Sequence, residues 1–259
     1  AYPAVAALIS QPVADEAVML RVLNAHFRLG TPANAAALAA FATREAPAVL
    51  RGEALTLLSL WPAPPARDRI VGIYRPLAEK TRPTEGAVDA LAPKLGNLLA
   101  AHTPDVVQVA ALSAISTLEL KAAAPELRAV IADQAQSVAV RIAALAALAH
   151  FKDAQLSASV AVAANSDSPE LRLAALPIST GLFPETAVGV LTSLIERGTA
   201  KEKQAAFEAL GTVKDPAADD LILAQLAKLA AGQVVPAAQL ELLEAAALPD
   251  AARCSASGR

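Results

Sequence analysis

Three histidines, His26, His102 and His150, and one cysteine, Cys254, are the residues of this 259-residue chain best suited to hold a metal or to act as a nucleophile. A helical metal site needs ligands at i and i+4, and a zinc site needs converging Cys and His groups. The histidines lie far apart, and none has a carboxylate at such a spacing. Structural or solvated roles are expected, with His150 placed to favour the C-terminal carbonyls of its helix. A lone cysteine excludes a disulfide framework and a cysteine-based zinc site. Two carboxylate pairs remain, Asp219-Asp220 and Glu241/Glu244. Acid–base catalysis needs an enclosed site that shifts pKa values. The first pair suits a helix N-terminus and the second a solvated face. No G-x-G-x-x-G, P-loop or G-x-S-x-G pattern occurs. The expectation is a chain without catalysis, cofactor or metal.

The densest chemistry lies in "WPAPPARDRIVGIYRPL", Trp61 to Leu77, which holds the only tryptophan. Trp, Tyr and Arg dominate interface energetics. Trp61, Arg67, Arg69, Tyr74 and Arg75 are therefore candidate contacts with a protein or a neighbouring domain. The competing reading is that Trp61 and Tyr74 pin a long connection to the rest of the fold. Trp61 is expected to end a helix, and Pro62, Pro64 and Pro65 to hold an extended linker. Ile70, Ile73 or Tyr74, and Leu77 at helical spacing predict an amphipathic helix within "ARDRIVGIYRPLAEK".

The elements around this stretch are helical repeats. Hydrophobic residues are 55% of the chain but aromatics only 3%, so the apolar content is mainly Ala, Leu and Val, which favours closely packed helices. "VQVAALSAI" from Val107, "VRIAALAAL" from Val140, "LRLAALPIS" from Leu171 and "EKQAAFEAL" from Glu202 align without gaps. Their large residues Leu112, Leu145, Leu176 and Phe207 recur at spacings of 33, 31 and 31, the signature of a helical repeat array. Weaker copies place Leu20, Leu55 and Leu243 in the same slot. Leu55 to Leu112 spans 57 residues, roughly 22 over the 35 that separate Leu20 from Leu55, and the excess falls at the tryptophan stretch.

Arg51, Gln108, Arg141, Arg172 and Lys203 form a column recurring once per copy. It reads either as a polar face meeting an acidic partner or as a structural ladder bonding turns of the neighbouring repeat. The second is favoured, because a repeat array repeats what its stacking requires. Thr31-Pro32, Thr103-Pro104, Ser168-Pro169 and Asp215-Pro216 each predict a capping residue followed by proline at the first helical position. Pro177, inside a helical stretch, is expected to kink or end its helix early.

These features predict an all-α, right-handed α-solenoid of about seven helix pairs over residues 1–248. One irregular insertion is expected at about 61–103, and a disordered tail over 249–259. Net charge is −3 and the basic residues are scattered, so no nucleic-acid footprint is present. No uncharged stretch reaches the roughly 18 residues of a membrane span. The chain opens at Ala1 inside what looks like a helix, with no signal peptide, and is expected to be a piece of a longer protein.

The repeats resemble HEAT repeats. "NSDSPELRLAALPIS" from Asn165 has the turn aspartate, the proline opening the second helix, the arginine and the small-small-large pattern; "GTVKDPAADDLILAQL" from Gly211 resembles another turn and first helix. The resemblance implies a scaffold or protein-docking module. "WPAPPARDRIVGIYRPL" within such repeats is also similar to a segment of large bacterial putative membrane-bound dehydrogenases, which join a propeller, a HEAT array and a cytochrome c domain. That resemblance implies an integral arm of a quinoprotein–cytochrome dehydrogenase, periplasmic or exported. It transfers no active-site residue, because C-x-x-C-H is absent. A third reading comes from HEAT-type lyases that attach bilin pigments.

Overall fold

The computed structural model describes residues 1–12 and 15–247, apart from the Glu185 side chain; Cys254 and the tail expected over 249–259 lie outside them. Among the described residues every regular element is a helix, and the only β pairing is an isolated bridge between Arg67 and Tyr74. The helix-favouring composition thus yields an all-α fold.

The chain divides into two compact units, Ala1–Asp153 and Ala154–Arg259. The first holds α1 (Tyr2–Ala6), α2 (Glu16–Leu29), α3 (Pro32–Thr43), α4 (Ala48–Ser59), α5 (Glu85–Leu91), α6 (Leu95–Leu98), α7 (Asp105–Thr117), α8 (Ala124–Ala132) and α9 (Val138–Phe151). Helix α2 packs on α4, α4 on α7, and α7 on α9, while α3 lies against α4 and α8 against α9. The second unit holds α10 (Leu156–Ala164), α11 (Pro169–Leu182), α12 (Pro184–Arg197), α13 (Ala200–Leu210), α14 (Pro216–Ala230) and α15 (Gln239–Ala247). Here α10 pairs with α11, α12 with α13 and α14 with α15, and α13 packs on both α11 and α15.

Side-chain caps mark where several of the helices begin. Thr31, Ser168 and Asp215 each accept a backbone N–H from the first turn, with proline at the first helical position. Thr103 does not follow that pattern. Pro104 is itself the N-cap, and the Thr103 hydroxyl instead donates to Asn97 O at 2.7 Å. Helix α11 runs through Pro177 to Leu182 instead of ending early. Buried Leu176 and Ser179 flank the proline, so packing on both sides offsets the lost hydrogen bond.

These starts fix a common phase. The eighth residues of α4, α7, α9, α11 and α13 are Leu55, Leu112, Leu145, Leu176 and Phe207, and all are buried. The outer copies need correction. Helix α2 begins after the Asp15 cap, so its eighth residue is the fully buried Leu23, 32 residues before Leu55, and not the half-buried Leu20. In α15 Leu243 is 50% exposed while its neighbour Leu242 is buried, so Leu243 does not fill the buried slot. Short apolar strings align in several phases in an Ala- and Leu-rich chain; the helix start decides among them.

Candidate docking loop and the side-chain ladder

Residues 60–84 join α4 to α5 without a helix. The amphipathic helix predicted from Ile70, Tyr74 and Leu77 does not form. Asp68 turns the chain instead: its Oδ1 accepts the N–H groups of Ile70 and Val71 at 3.0 and 3.2 Å, offering the backbone a local alternative to helix. Gly72 then adopts φ +71°, a left-handed conformation that glycine takes without steric cost. Asp68 N–H donates to Ile73 O at 2.9 Å and Arg75 N–H to Ala66 O at 2.9 Å, which pairs Arg67 with Tyr74 across a small hairpin.

The base of this loop is buried. Trp61 is 2% exposed, meets Phe27 edge-on with ring centres 6.2 Å apart, and donates its indole N–H to Pro83 O at 3.2 Å. Arg82 sits 5.1 Å from the rings of both Phe27 and Trp61 and donates to Phe27 O at 2.6 Å, near the C-terminal end of α2. Its guanidinium lies directly over Gly30, where an added Cβ would meet Arg82 Cζ at 2.7 Å. Glu79 reaches Arg82 Nε only at 4.0 Å, so the rings and the carbonyl hold this arginine more than any charge does.

Asp68 anchors the hairpin to α2. Asn24 Nδ2 donates to both its oxygens at 3.1 Å, and Arg28 approaches at 3.4 Å. Burial pushes the Asp68 carboxyl up, but the hydrogen bonds from Asn24, Val71 and Ile70, with the Arg28 charge, outweigh it and hold the group below its ordinary range. Arg28 also donates to Arg75 O at 2.9 Å.

The five contact candidates therefore separate. Trp61 lies inside the protein, so it is a pin and not an exposed docking residue. Arg67 donates to Gly72 O at 3.0 Å and braces the turn. Arg69 forms a bidentate pair with Glu53 at 2.8 and 2.9 Å. The Arg75 guanidinium lies 5.6 Å from the Tyr2 ring, which Arg28 also approaches at 5.5 Å. Tyr74 is 71% exposed, and with Val71 and Ile73 it forms an apolar tip facing solvent. Asp68, Arg82, Asn24 and Arg28 were not singled out from the sequence. An aspartate four residues before a glycine, in a run bracketed by prolines, was the available signal for the turn.

The column of polar residues occupies the fourth position of successive helices. Side chains tilt toward a helix N-terminus, so a fourth residue reaches back over the first turn to the end of the preceding helix. Arg51 donates to Ala42 O at 2.8 Å, Gln108 to Thr103 O at 2.7 Å, Arg141 to Ile131 O at 2.8 Å and Arg172 to Ser166 O at 2.6 Å. Each satisfies a carbonyl at a helix end or in the turn just before its own helix. The expected bond to a neighbouring repeat occurs at Arg172 alone among these, which also pairs with the fully buried Glu202 at 2.7 Å. Burial raises the Glu202 pKa, but hydrogen bonds from Arg172 and Thr199 hold it low overall. Lys203 bonds no such carbonyl and faces a hollow instead.

His26 is buried between Ala6 O at 2.9 Å and Asn34 Nδ2 at 2.9 Å. Burial pushes its pKa down, partly offset by the Ala6 contact. His150 bonds Glu119 at 2.7 Å, a partner the sequence did not suggest. Glu241 accepts from Gln204 at 2.9 Å. Among the described residues no cluster of three or more His, Cys, Asp or Glu side chains could hold a metal ion, and no helix is long and apolar enough to cross a membrane. No family model, curated protein or solved structure matches this chain.

Proposed function

We propose that this chain is a non-catalytic, right-handed HEAT-like solenoid that docks a protein or a neighbouring domain of its own polypeptide through the 60–84 loop. Successive helix pairs with recurrent fourth and eighth positions support the repeat reading. The observation that carries the docking reading is the contrast within the loop. A base fixed by Trp61, Asp68 and Arg82 presents Val71, Ile73 and Tyr74 to solvent. A preorganised apolar tip binds at low entropic cost, because its ordering is completed on folding.

The test is a titration of this chain with the protein segments encoded beside it in its gene. Binding that weakens about tenfold in Tyr74→Ala, the scale of a truncated interface anchor, supports the reading. Binding indifferent to Tyr74→Ala contradicts the docking role of the loop, and absence of binding to each flanking segment contradicts a neighbouring domain as its occupant.

A further inference from the structure

In the second unit a hollow of about 220 Å³ opens between the end of α12 at Glu196, Lys203 and Phe207 of α13, Gln225 and Lys228 of α14, and Gln233 in the loop that follows. Lys203 stands where Arg51, Gln108, Arg141 and Arg172 each bond a backbone carbonyl. It makes no side-chain hydrogen bond or ion pair among the described residues, and neither does Lys228. Gln225 supplies an independent sign. Its side chain is in a residue only 4% exposed, lines the hollow, and has no hydrogen-bond partner among the described residues. The amide opens onto the hollow, where a ligand can bond it. Gln233 closes the wall, its N–H tied back to Lys228 O at 2.9 Å.

We propose that this hollow receives a glutamate side chain from an acidic peptide segment of a partner. Two ammonium groups against the single Glu196 carboxylate leave one positive charge, which matches a monoanionic carboxylate better than a phosphate dianion. The volume is below the roughly 300–1,000 Å³ of small-molecule sites, so it suits a side chain inserted from a chain held outside. Lys203 and Lys228 pair with the carboxylate, the Gln225 amide donates to one of its oxygens, and Phe207 underlies the aliphatic stem. The proposal deepens the docking reading and rests on it for a peptide as the source of the carboxylate.

The experiment titrates the full chain into a fluorescein-labelled hexaglutamate peptide at low salt and follows anisotropy. Saturable binding is expected, about tenfold weaker in Lys203→Met and in Lys228→Met, as loss of a charge-assisted hydrogen bond implies. Lys201→Met, on the exposed side of α13, and a hexaglutamine peptide are the controls. Neither lysine holds another group, so both variants should melt like the parent; if one does not, the other carries the test. Absent binding overturns the proposal, as does an equal loss in Lys201→Met, which means surface charge alone. Displacement by free glutarate as tight as by unlabelled peptide also overturns it, because the occupant is then a small carboxylate. Failure here leaves the loop reading standing, since that is read from Tyr74 variants in the other unit.

Discussion

At the base of the 60–84 insertion, Arg82 lies against two aromatic rings and donates to a backbone carbonyl, and Trp61 is 2% exposed. At the tip, Tyr74 is 71% exposed beside Val71 and Ile73. Both ends use the aromatic and arginine chemistry that marks an interface, yet the base uses it inward, where it is already spent on folding. Residue type locates the segment, while burial decides which of its residues remain available to a partner.

The largest effect is expected at Trp61. Trp61→Ala is expected to destabilise the first unit by about 3–5 kcal/mol, the usual cost of truncating a buried aromatic, measured by urea unfolding. Asp68→Ala is expected to cost about 3 kcal/mol, because it strands Asn24, Arg28 and two backbone N–H groups. At the ladder, Arg141→Met should cost about 1–2 kcal/mol by leaving Ile131 O unpaired, whereas Lys203→Met should leave the melting temperature unchanged. Tyr74→Ala should change stability by less than about 0.5 kcal/mol, as exposed substitutions do.

Acid weakens the buried polar contacts. Asp68 and Glu202 both have folded-state pKa values below their ordinary ones. Their contribution is present above the unfolded-state pKa and lost as pH falls through the lower folded-state value. The loss therefore begins below about pH 4 and continues downward. His26, with its pKa lowered by burial, adds a loss at milder pH, as acidity first crosses the unfolded histidine value near about 6.5. Unfolding midpoints across pH should show both phases, and Asp68→Asn should shrink the lower one.

Much of the helical framework was legible because it depends on local chemistry. Thr31-Pro32 and Ser168-Pro169 start helices through their own side chains and rings, with no reference to distant residues. The polar column was visible too, but its role needed the preceding turn in space, since Arg141 reaches Ile131 ten residues back. The loop was misread as helix because Ile70, Tyr74 and Leu77 match the helical period, while the deciding group is Asp68. Its hold on the turn is reinforced by Asn24 and Arg28, which lie 44 and 40 residues away in sequence. Lys203 is the one lysine of the column, but that it bonds no carbonyl is something no spacing reveals.

The most direct test is equilibrium unfolding of Trp61→Ala and Tyr74→Ala side by side in the same buffer. Base and tip are predicted to differ by at least about 2.5 kcal/mol, with Tyr74→Ala close to the parent protein. Equal losses in the two variants would contradict the division of the loop into a structural base and an exposed tip.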